Sequence, residues 1–168
     1  MDETLQIRPA ELDDINTIGF LAQQIWPETY RGILSPEQLK YMLKLMYSPK
    51  ALRRQMVDER HSFAIAEQEE DPIGFASWSG TGDAGVYKLH KIYVLPGRQG
   101  KGLGRALLQF VFEAIRPERA RKLRLNVNRR NKARQFYERI GFTVVGEEDI
   151  DIGHGYFMND YIMEIAVP

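Results

Sequence analysis

Short apolar segments, several of them with strict alternation of apolar and polar residues, predict seven β-strands. The alternation is clearest from Lys122 to Val127, where every second residue is apolar. The segment Tyr87 to Leu95 is followed by Pro96, which cannot continue a central strand because proline has no backbone N–H. The predicted strands span residues 5–8, 62–68, 72–79, 87–95, 122–127, 142–149 and 156–166.

Other segments carry apolar residues at intervals of three and four, the spacing of one helix face. Asp13 can cap the first of these helices, whose apolar positions are Ile15, Ile18, Ala22, Ile25 and Trp26. Ser35-Pro36-Glu37-Gln38 predicts a second helix start, because Ser35 can accept a backbone N–H and Pro36 suits the first helical position. Ser48-Pro49 restarts this second helical segment, which runs toward Arg60.

Two more helices are predicted in the second half of the chain. One spans Leu103 to Ile115, and Pro117 stops it; the other is capped by Asn131 and ended by Gly141. The element order β-α-α-β-β-β-α-β-α-β-β predicts an α/β fold, with a sheet of mixed strand direction and helices on both faces. No repeat or linker interrupts the pattern, so residues 1–168 are expected to form a single domain.

Composition narrows the range of functions. The 168 residues carry 23 Lys+Arg and 23 Asp+Glu, and this zero net charge disfavours a general nucleic-acid binder. The absence of cysteine excludes disulfides, thiolate metal sites and cysteine nucleophiles. No signal-peptide pattern is visible, and no apolar run approaches the roughly 18 residues that span a bilayer, so we expect a cytoplasmic protein without a membrane partner. The three histidines stand far apart in sequence, so no metal site is expected.

The chemically most informative segment, residues 94–104, joins the fourth strand to the helix that starts near Leu103. It has glycine at positions 100, 102 and 104 and basic residues at 98, 101 and 105. A glycine-rich turn at a helix start exposes backbone N–H groups beside the positive end of the helix dipole, and both bind phosphate. Two well-known nucleotide motifs fail here, because Leu103 stands where a P-loop has lysine and the dinucleotide fingerprint lacks its third glycine.

A third pattern fits this loop. Gln99-Gly100-Lys101-Gly102-Leu103-Gly104 matches Gln/Arg-x-x-Gly-x-Gly/Ala, and the segment Asn131 to Phe142 follows about thirty residues later. With these motifs and its element order, the chain resembles the GCN5-related N-acetyltransferases (GNAT) over nearly its whole length. Members of that family move an acetyl group from acetyl-coenzyme A to an amine. The resemblance implies a mostly antiparallel sheet of about seven strands that splays at the cofactor strand, acetyl-coenzyme A as co-substrate, and no metal.

The resemblance also implies which residues hold acetyl-coenzyme A. The loop backbone would bind the pyrophosphate, basic side chains would add charge, and the edge of the strand at Ile92–Val94 would pair with the pantetheine amides. The predicted cofactor-binding residues are Ile92, Tyr93, Val94, Arg98, Gln99, Gly100, Lys101, Gly102, Leu103, Gly104, Arg105, Asn131, Ala133, Phe136 and Tyr137.

Two groups are expected to act on the thioester. By resemblance, a free Val94 N–H would stabilise the negative charge that develops on the thioester oxygen. Tyr137 would act as general acid and protonate the departing thiolate. Helical spacing alone favours a core role for Tyr137 beside Phe136, and the resemblance favours the catalytic role.

The general base is a separate question. Many relatives begin the cofactor strand with a glutamate, but this chain has Lys88 at that position, and a charged lysine cannot accept a proton. Strand alternation puts His90 on the face of Lys88 and Ile92, and an imidazole titrates in a suitable range. A partly buried structural histidine is an equal alternative, and a water relay or attack by the neutral fraction of the amine needs no dedicated base.

In the family the acceptor usually meets the N-terminal helices and the last hairpin. The segment Trp26 to Tyr30 is expected to follow the first helix and offers aromatic rings, and the hairpin is acidic, which together would suit a cationic amine. A solvated loop is the commoner meaning of such an acidic run. The predicted acceptor-binding residues are Trp26, Tyr30, Asp149, Asp151, His154 and Tyr156. The segments Asp149–Met163 and Ser35–Gln38 are similar to those of bacterial polyamine acetyltransferases, so the expected acceptor is spermidine, spermine or a similar small-molecule amine.

Two rival functions stay open for this fold. One is acetylation of a protein N-terminus or lysine, which predicts an open groove in place of an acidic pocket. The other is a coenzyme A sensor without catalysis, which Tyr137 disfavours. Family members often dimerise, so the resemblance also raises a homodimer as an expectation.

Overall fold

The computed structural model describes residues 4–168, and these contain one seven-stranded sheet with the order β1-β2-β3-β4-β5-β7-β6. The β4–β5 pair is parallel and the other five pairs are antiparallel, which confirms the predicted mixed, mostly antiparallel sheet. The strands are β1 Leu5–Pro9, β2 Ser62–Gln68, β3 Asp71–Gly80, β4 Val86–Val94, β5 Lys122–Asn128, β6 Thr143–Gly153 and β7 Tyr156–Ala166.

Five α-helices cover the sheet, and they are α1 Ile15–Thr29, α2 Pro36–Tyr47, α3 Pro49–Val57, α4 Leu103–Ile115 and α5 Ala133–Ile140. The Ser35 hydroxyl accepts the Gln38 N–H at 3.1 Å and the Ser48 hydroxyl accepts the Ala51 N–H at 3.2 Å, so both serine caps form as predicted. α1–α3 bury their apolar residues in one core cluster and α4–α5 in another, on opposite faces of the sheet. The expectation of helices on both faces is therefore confirmed.

Two features of the polypeptide differ from the simple periodic pattern. α1 continues to Thr29 with Pro27 inside its last turns, so Trp26–Tyr30 is mostly helical and does not follow the helix as predicted. In β4 the pairing partners of β3 step from Lys91 opposite Ser77 to Leu89 opposite Trp78, which leaves His90 at a β-bulge. Strict alternation fails at that residue, because a bulge inserts one position into the two-residue repeat.

The strands β4 and β5 separate partway along their length. They pair only from Val86 opposite Lys122 to Leu89 opposite Leu125, although β4 continues to Val94 and β5 to Asn128. The far ends of the two strands therefore leave backbone groups facing a gap in the middle of the sheet. This is the splay that the sequence resemblance implied, and it positions the site described next.

Candidate active site

A cleft of about 1090 Å³ occupies the gap between β4 and β5. Its walls come from β4, from the first residues of the β5–α5 connection, from the loop before α4 and from the turn after α1. The cleft therefore joins the two faces of the sheet, so two molecules could meet within it from opposite sides. Volumes of this size are typical of sites for cofactors and substrates.

The loop before α4 is built on glycines with left-handed backbone conformation. Gly97, Gly100 and Gly102 have φ values of 87°, 81° and 77°, which side-chain-bearing residues rarely adopt. No atom lies within 4 Å of the point where a Cβ would stand on any of the three, so the loop backbone is open to a ligand. Gly104 has a different role, because a Cβ there would stand 3.2 Å from the Phe136 ring.

The start of α4 has free hydrogen-bond donors that suit a phosphate. In the first backbone hydrogen bond of the helix, the Ala106 N–H donates to the Gly102 oxygen at 3.0 Å. Within residues 4–168, the N–H groups from Leu103 to Arg105 have no carbonyl partner one turn earlier. These donors, the helix dipole and the open glycine backbone fit the pyrophosphate of coenzyme A.

The basic residues near this loop do not all face the cleft. Arg105 lines it, whereas the Arg98 guanidinium donates a hydrogen bond to the Gln68 side chain at the β2–β3 turn. Lys101 and Leu103 do not line the cleft, and Leu103 is buried in the core. The side chains of Arg98 and Lys101 were expected to add charge at the cofactor, and neither lines the cleft. Leu103 was expected to contribute its backbone N–H, which its buried side chain leaves possible.

The backbone of Val94 faces the gap. The Leu95 N–H donates to the Ile73 oxygen of β3 at 2.8 Å, and successive residues of a strand point their polar groups in opposite directions. The Val94 N–H and carbonyl therefore point away from β3, toward the side on which pairing with β5 has ended. The Gln99 Nε2 reaches the Val94 oxygen there at 2.9 Å. The N–H on the same side is placed to donate into the cleft.

Three phenols lie around the same point of the cleft. Tyr137 is 7% exposed, and the Tyr30 and Tyr93 hydroxyls lie 3.0 Å apart. Burial raises the pKa of Tyr137 well above its ordinary value and, as the largest influence, raises that of Tyr30 to about 12. Within residues 4–168 no hydrogen bond involves the Tyr137 hydroxyl, so its proton is free for a ligand. Asn131, Ala133 and Phe136 line the cleft beside it.

His90 has surroundings that suit a neutral imidazole. Its ring stacks on that of His61 with centroids 3.9 Å apart, and its Nε2 lies 2.7 Å from the Ser79 hydroxyl. Burial, followed by the charges of His61 and Lys91, lowers the pKa of His90 to about 3. An imidazole that binds a proton so weakly is a poor base at neutral pH, although His90 does line the cleft.

The residues predicted to bind the acceptor lie mostly outside the cleft. Trp26 is 1% exposed and packs behind Tyr30, with ring centroids 4.6 Å apart, so only Tyr30 of this pair reaches the cleft wall. The assignment of Trp26 to acceptor binding is therefore wrong. The helical geometry of this segment turns the Trp26 indole into the core.

The tip of the last hairpin rests on α2, away from the cleft. The Tyr41 hydroxyl donates to the Ile152 oxygen at 2.5 Å, and its ring contacts His154 and Tyr156. The Asp149 carboxylate pairs with Arg129 at 2.7 Å, and the Asp151 carboxylate accepts the Gly153 N–H within the turn. None of the four predicted hairpin residues (Asp149, Asp151, His154 and Tyr156) is among the residues that line the cleft.

Some cleft residues were not predicted. Arg130 donates to the Gly32 oxygen at 2.6 Å and so ties the β5–α5 connection to the turn after α1. Asn126 projects from β5 just beyond the last residue that pairs with β4. In the sequence, Asn126 is a polar residue between the buried Leu125 and Val127. This alternation shows that Asn126 lies on the other face of the strand, but it does not show which residues of other strands lie beside it.

Two more observations concern the described residues as a whole. Within residues 4–168 no three His, Asp or Glu side chains are arranged to hold a metal ion. No helix in the same range is both long and apolar enough to cross a membrane.

Comparison with known proteins identifies the class of this site. Residues 31–157 match the acetyltransferase (GNAT) domain family, so the chain belongs to that family of N-acetyltransferases, enzymes that use acetyl-coenzyme A. It is 28% identical to the spermidine N(1)-acetyltransferase of Thermoplasma acidophilum over 96% of both chains. It is 39% identical to the 5-NmdU N-acetyltransferase of Pseudomonas phage PaMx11, over 72% of this chain and 85% of the relative.

The solved structures agree with this assignment. The PaiA N-acetyltransferase of Thermoplasma acidophilum, in complex with coenzyme A, superposes with a TM-score of 0.82 at 28% identity, covering 96% of this chain and 98% of the other. The predicted fold and the predicted use of acetyl-coenzyme A are thus confirmed.

Proposed function

We propose that this enzyme acetylates a primary amine of a polyamine-like small molecule. The observation that carries the proposal is the similarity to a spermidine acetyltransferase over 96% of both chains, which includes α2 and the last hairpin. Asn126 of the cleft wall donates hydrogen bonds to the Glu148 and Asp160 carboxylates. These two negative charges support a cationic acceptor, because they would offset its charge.

The cleft residues support direct transfer while both substrates are bound. Acetyl-coenzyme A, when bound, supplies the acetyl group as a thioester. The loop of residues 99–105 would hold its pyrophosphate, and the Val94 N–H would stabilise the charge that develops on the thioester oxygen. As the amine nitrogen bonds to the carbonyl carbon and the C–S bond breaks, Tyr137 would donate its proton to the sulfur. The nitrogen releases one proton to water and the Tyr137 phenolate regains one from water, so atoms and charge balance.

We infer that removal of the amine proton does not depend on His90. Its low pKa and its stacking on His61 argue against that role. An alkylamine has a pKa near 10.4, so roughly one molecule in 2,500 is neutral at pH 7. Attack by this fraction, with the proton passing to water in the cleft, needs no basic side chain.

A substrate panel tests the proposal. Release of coenzyme A is measured with spermidine, spermine, an aminoglycoside, free amino acids, a peptide with a free N-terminus, and 5-NmdU. The highest kcat/KM is expected with spermidine or spermine. Turnover of the peptide or of 5-NmdU without turnover of any polyamine would reject the proposed acceptor. Binding of acetyl-coenzyme A with no transfer to any amine would instead support a sensor.

A further inference from the structure

The strands on the β5 side of the cleft carry two carboxylates with no cationic partner. Asp160 of β7 stands opposite Asn128 of β5 on one side and Glu148 of β6 on the other. Leu123, Leu125 and Val127 of β5 pack in the α4–α5 core. The alternate residues of β5, with their neighbours Asp160 and Glu148, therefore face the side of the sheet on which α1–α3 lie.

Three other acidic residues of β6 and β7 have cationic partners, and Asp151, at the hairpin turn, accepts the Gly153 N–H. Glu164 pairs with Arg124 at 2.8 Å and with Lys122 at 3.4 Å. Glu147 and Asp149, on the opposite face of β6, pair with Arg129. Within residues 4–168, Asp160 and Glu148 have no lysine, arginine or histidine nitrogen within 4.0 Å of their carboxylates. Arg129 reaches Asp160 only at the backbone oxygen.

Asp160 is buried with half of its carboxylate unsatisfied. The residue is 4% exposed, and within residues 4–168 its Oδ1 has no hydrogen-bond partner. Its Oδ2 accepts the Asn126 Nδ2 at 3.2 Å, and the same amide donates to the Glu148 Oε1 at 2.9 Å. A buried carboxylate oxygen without a donor destabilises a fold, so such a group indicates a site for a donor that binds from outside.

The charge on Asp160 is disfavoured in the unliganded protein. Burial raises its pKa above the ordinary range, and the neighbouring Glu148 raises it further. The Asn126 hydrogen bond and the more distant charges of Lys88 and Arg129 oppose this shift without cancelling it.

This carboxylate pair is connected to the cleft through Asn126, since neither Asp160 nor Glu148 itself lines the cleft. Asn126, which bridges the two carboxylates, is itself a cleft residue and follows the last paired position of β5. The Asp160 carboxylate also raises the pKa of Tyr30, which lines the opposite wall at the end of α1. Through the Asn126 amide, the Asp160 carboxylate lies one hydrogen bond away from a residue of the cleft wall.

We propose that Asp160 and Glu148 bind a second ammonium group of the acceptor, one that does not react. The inference rests on the proposed function and makes it more specific, because it requires an acceptor with two cationic nitrogens. An ammonium group supplies several N–H donors and a full positive charge. It would satisfy the free Asp160 oxygen and neutralise the repulsion between the two carboxylates. A neutral hydroxyl group would satisfy the free oxygen but would not neutralise the repulsion.

Asp160→Asn tests the inference, because it removes the charge with almost no change of shape. The readout is the ratio of kcat/KM for an α,ω-diamine over a monoamine of the same chain length, measured at constant ionic strength. We expect this ratio to fall about tenfold to a hundredfold, the usual effect of losing a hydrogen bond to a charged group. Glu147→Gln is the matched control. It removes an exposed charge one residue from Glu148 on the opposite face, and the ratio should stay within about twofold.

A thermal readout separates binding from folding. Asp160→Asn removes a buried unpaired charge, so its melting temperature should be equal to that of the wild type or higher. Spermidine should raise the melting temperature of the wild type but not of Asp160→Asn. If the wild type acetylates spermidine and Asp160→Asn keeps the diamine preference, the inference is wrong and the proposed function stands. If no polyamine is a substrate, the proposed function fails first. Equal stabilisation by Mg²⁺ at the same concentration would also overturn the inference.

Discussion

Burial decides what each titratable side chain around the cleft can do. It raises the pKa values of Tyr30, Tyr93 and Tyr137, so these phenols keep their protons and act as donors at neutral pH. The same desolvation lowers the pKa of His90 to about 3 and that of Lys91 to about 8. Desolvation would also raise the pKa of a thiol in this cleft, so the pKa values of Tyr137 and of the departing sulfur shift in the same direction. The residues therefore favour proton donation to a leaving group over proton abstraction by a histidine.

Tyr137→Phe should lower kcat by about a hundredfold or more, the usual contribution of general acid catalysis. The side chain keeps its ring contacts with Phe136 and Phe142, so packing should be nearly unchanged. The measurement is steady-state turnover, with coenzyme A affinity from titration calorimetry as the control. A loss of less than about threefold with unchanged affinity would remove Tyr137 from the mechanism.

At the scale of elements, the site is the place where β4 stops pairing with β5. Because β4 leaves its neighbour after Leu89, its last residues offer backbone groups to a ligand, and the loop up to Gly104 carries the chain into α4 beside that edge. A strand edge and a helix N-terminus then contribute to the same cleft. Both are backbone features, which explains why glycine, and not a particular side chain, marks the loop.

Gly102→Glu should abolish detectable acetyl-coenzyme A binding, because it puts a negative charge where the pyrophosphate would lie. Gly82→Glu is the matched control. Gly82 also has a positive φ, 95°, and no atom within 4 Å of its missing Cβ, but it lies in the β3–β4 connection, away from the cleft. Both variants bear the strain of a left-handed non-glycine residue, about 1 to 2 kcal/mol. Calorimetry should show binding lost in the first variant alone; equal affinities would contradict the assignment of the loop.

At the scale of the whole molecule, the sheet separates two apolar cores, and its central strands connect them. The stacked rings of His61 and His90 sit where the segment before β2 meets β4. Burial lowers the pKa of both histidines, so each binds a proton less readily in the folded than in the unfolded protein. The unfolded imidazole has a pKa near 6.5. The stability of the whole protein is therefore linked to pH through these two side chains.

The melting temperature should fall as the pH drops from about 7 to 5.5. In this range the unfolded state takes up more protons at His61 and His90 than the folded state does, so lowering the pH favours unfolding. His90→Gln should make the decline shallower. Circular dichroism melts at several pH values provide the measurement. Identical slopes for the wild type and His90→Gln would show that His90 does not titrate between the two states.

Much of the fold follows from local sequence. Alternation predicted the seven strands, and helical spacing predicted the helices. Ser35 and Ser48 cap helix starts, as their sequence context indicated. The bulge at His90 was not predicted, because the extra residue is accommodated by pairing with β3, which lies outside the segment itself. The continuation of α1 past Pro27 also escaped prediction, since packing of Trp26 against Tyr30, Tyr47 and Tyr93 stabilises that last part of the helix.

By itself, the sequence determined the class of this protein and its acetyl donor, because the loop proposed to bind coenzyme A is a contiguous segment whose glycines and helix start can be recognised from spacing. Only the tertiary structure brings together the residues that we propose for the acceptor side. The Asp160 carboxylate, the Asn126 amide and the Tyr30 phenol come from three distant segments, and which carboxylates remain unpaired depends on cross-strand neighbours and burial. The acidic residues of the last hairpin look alike in the sequence. In the fold Asp149 is neutralised by Arg129, while Asp160 is buried beside the cleft without a cation.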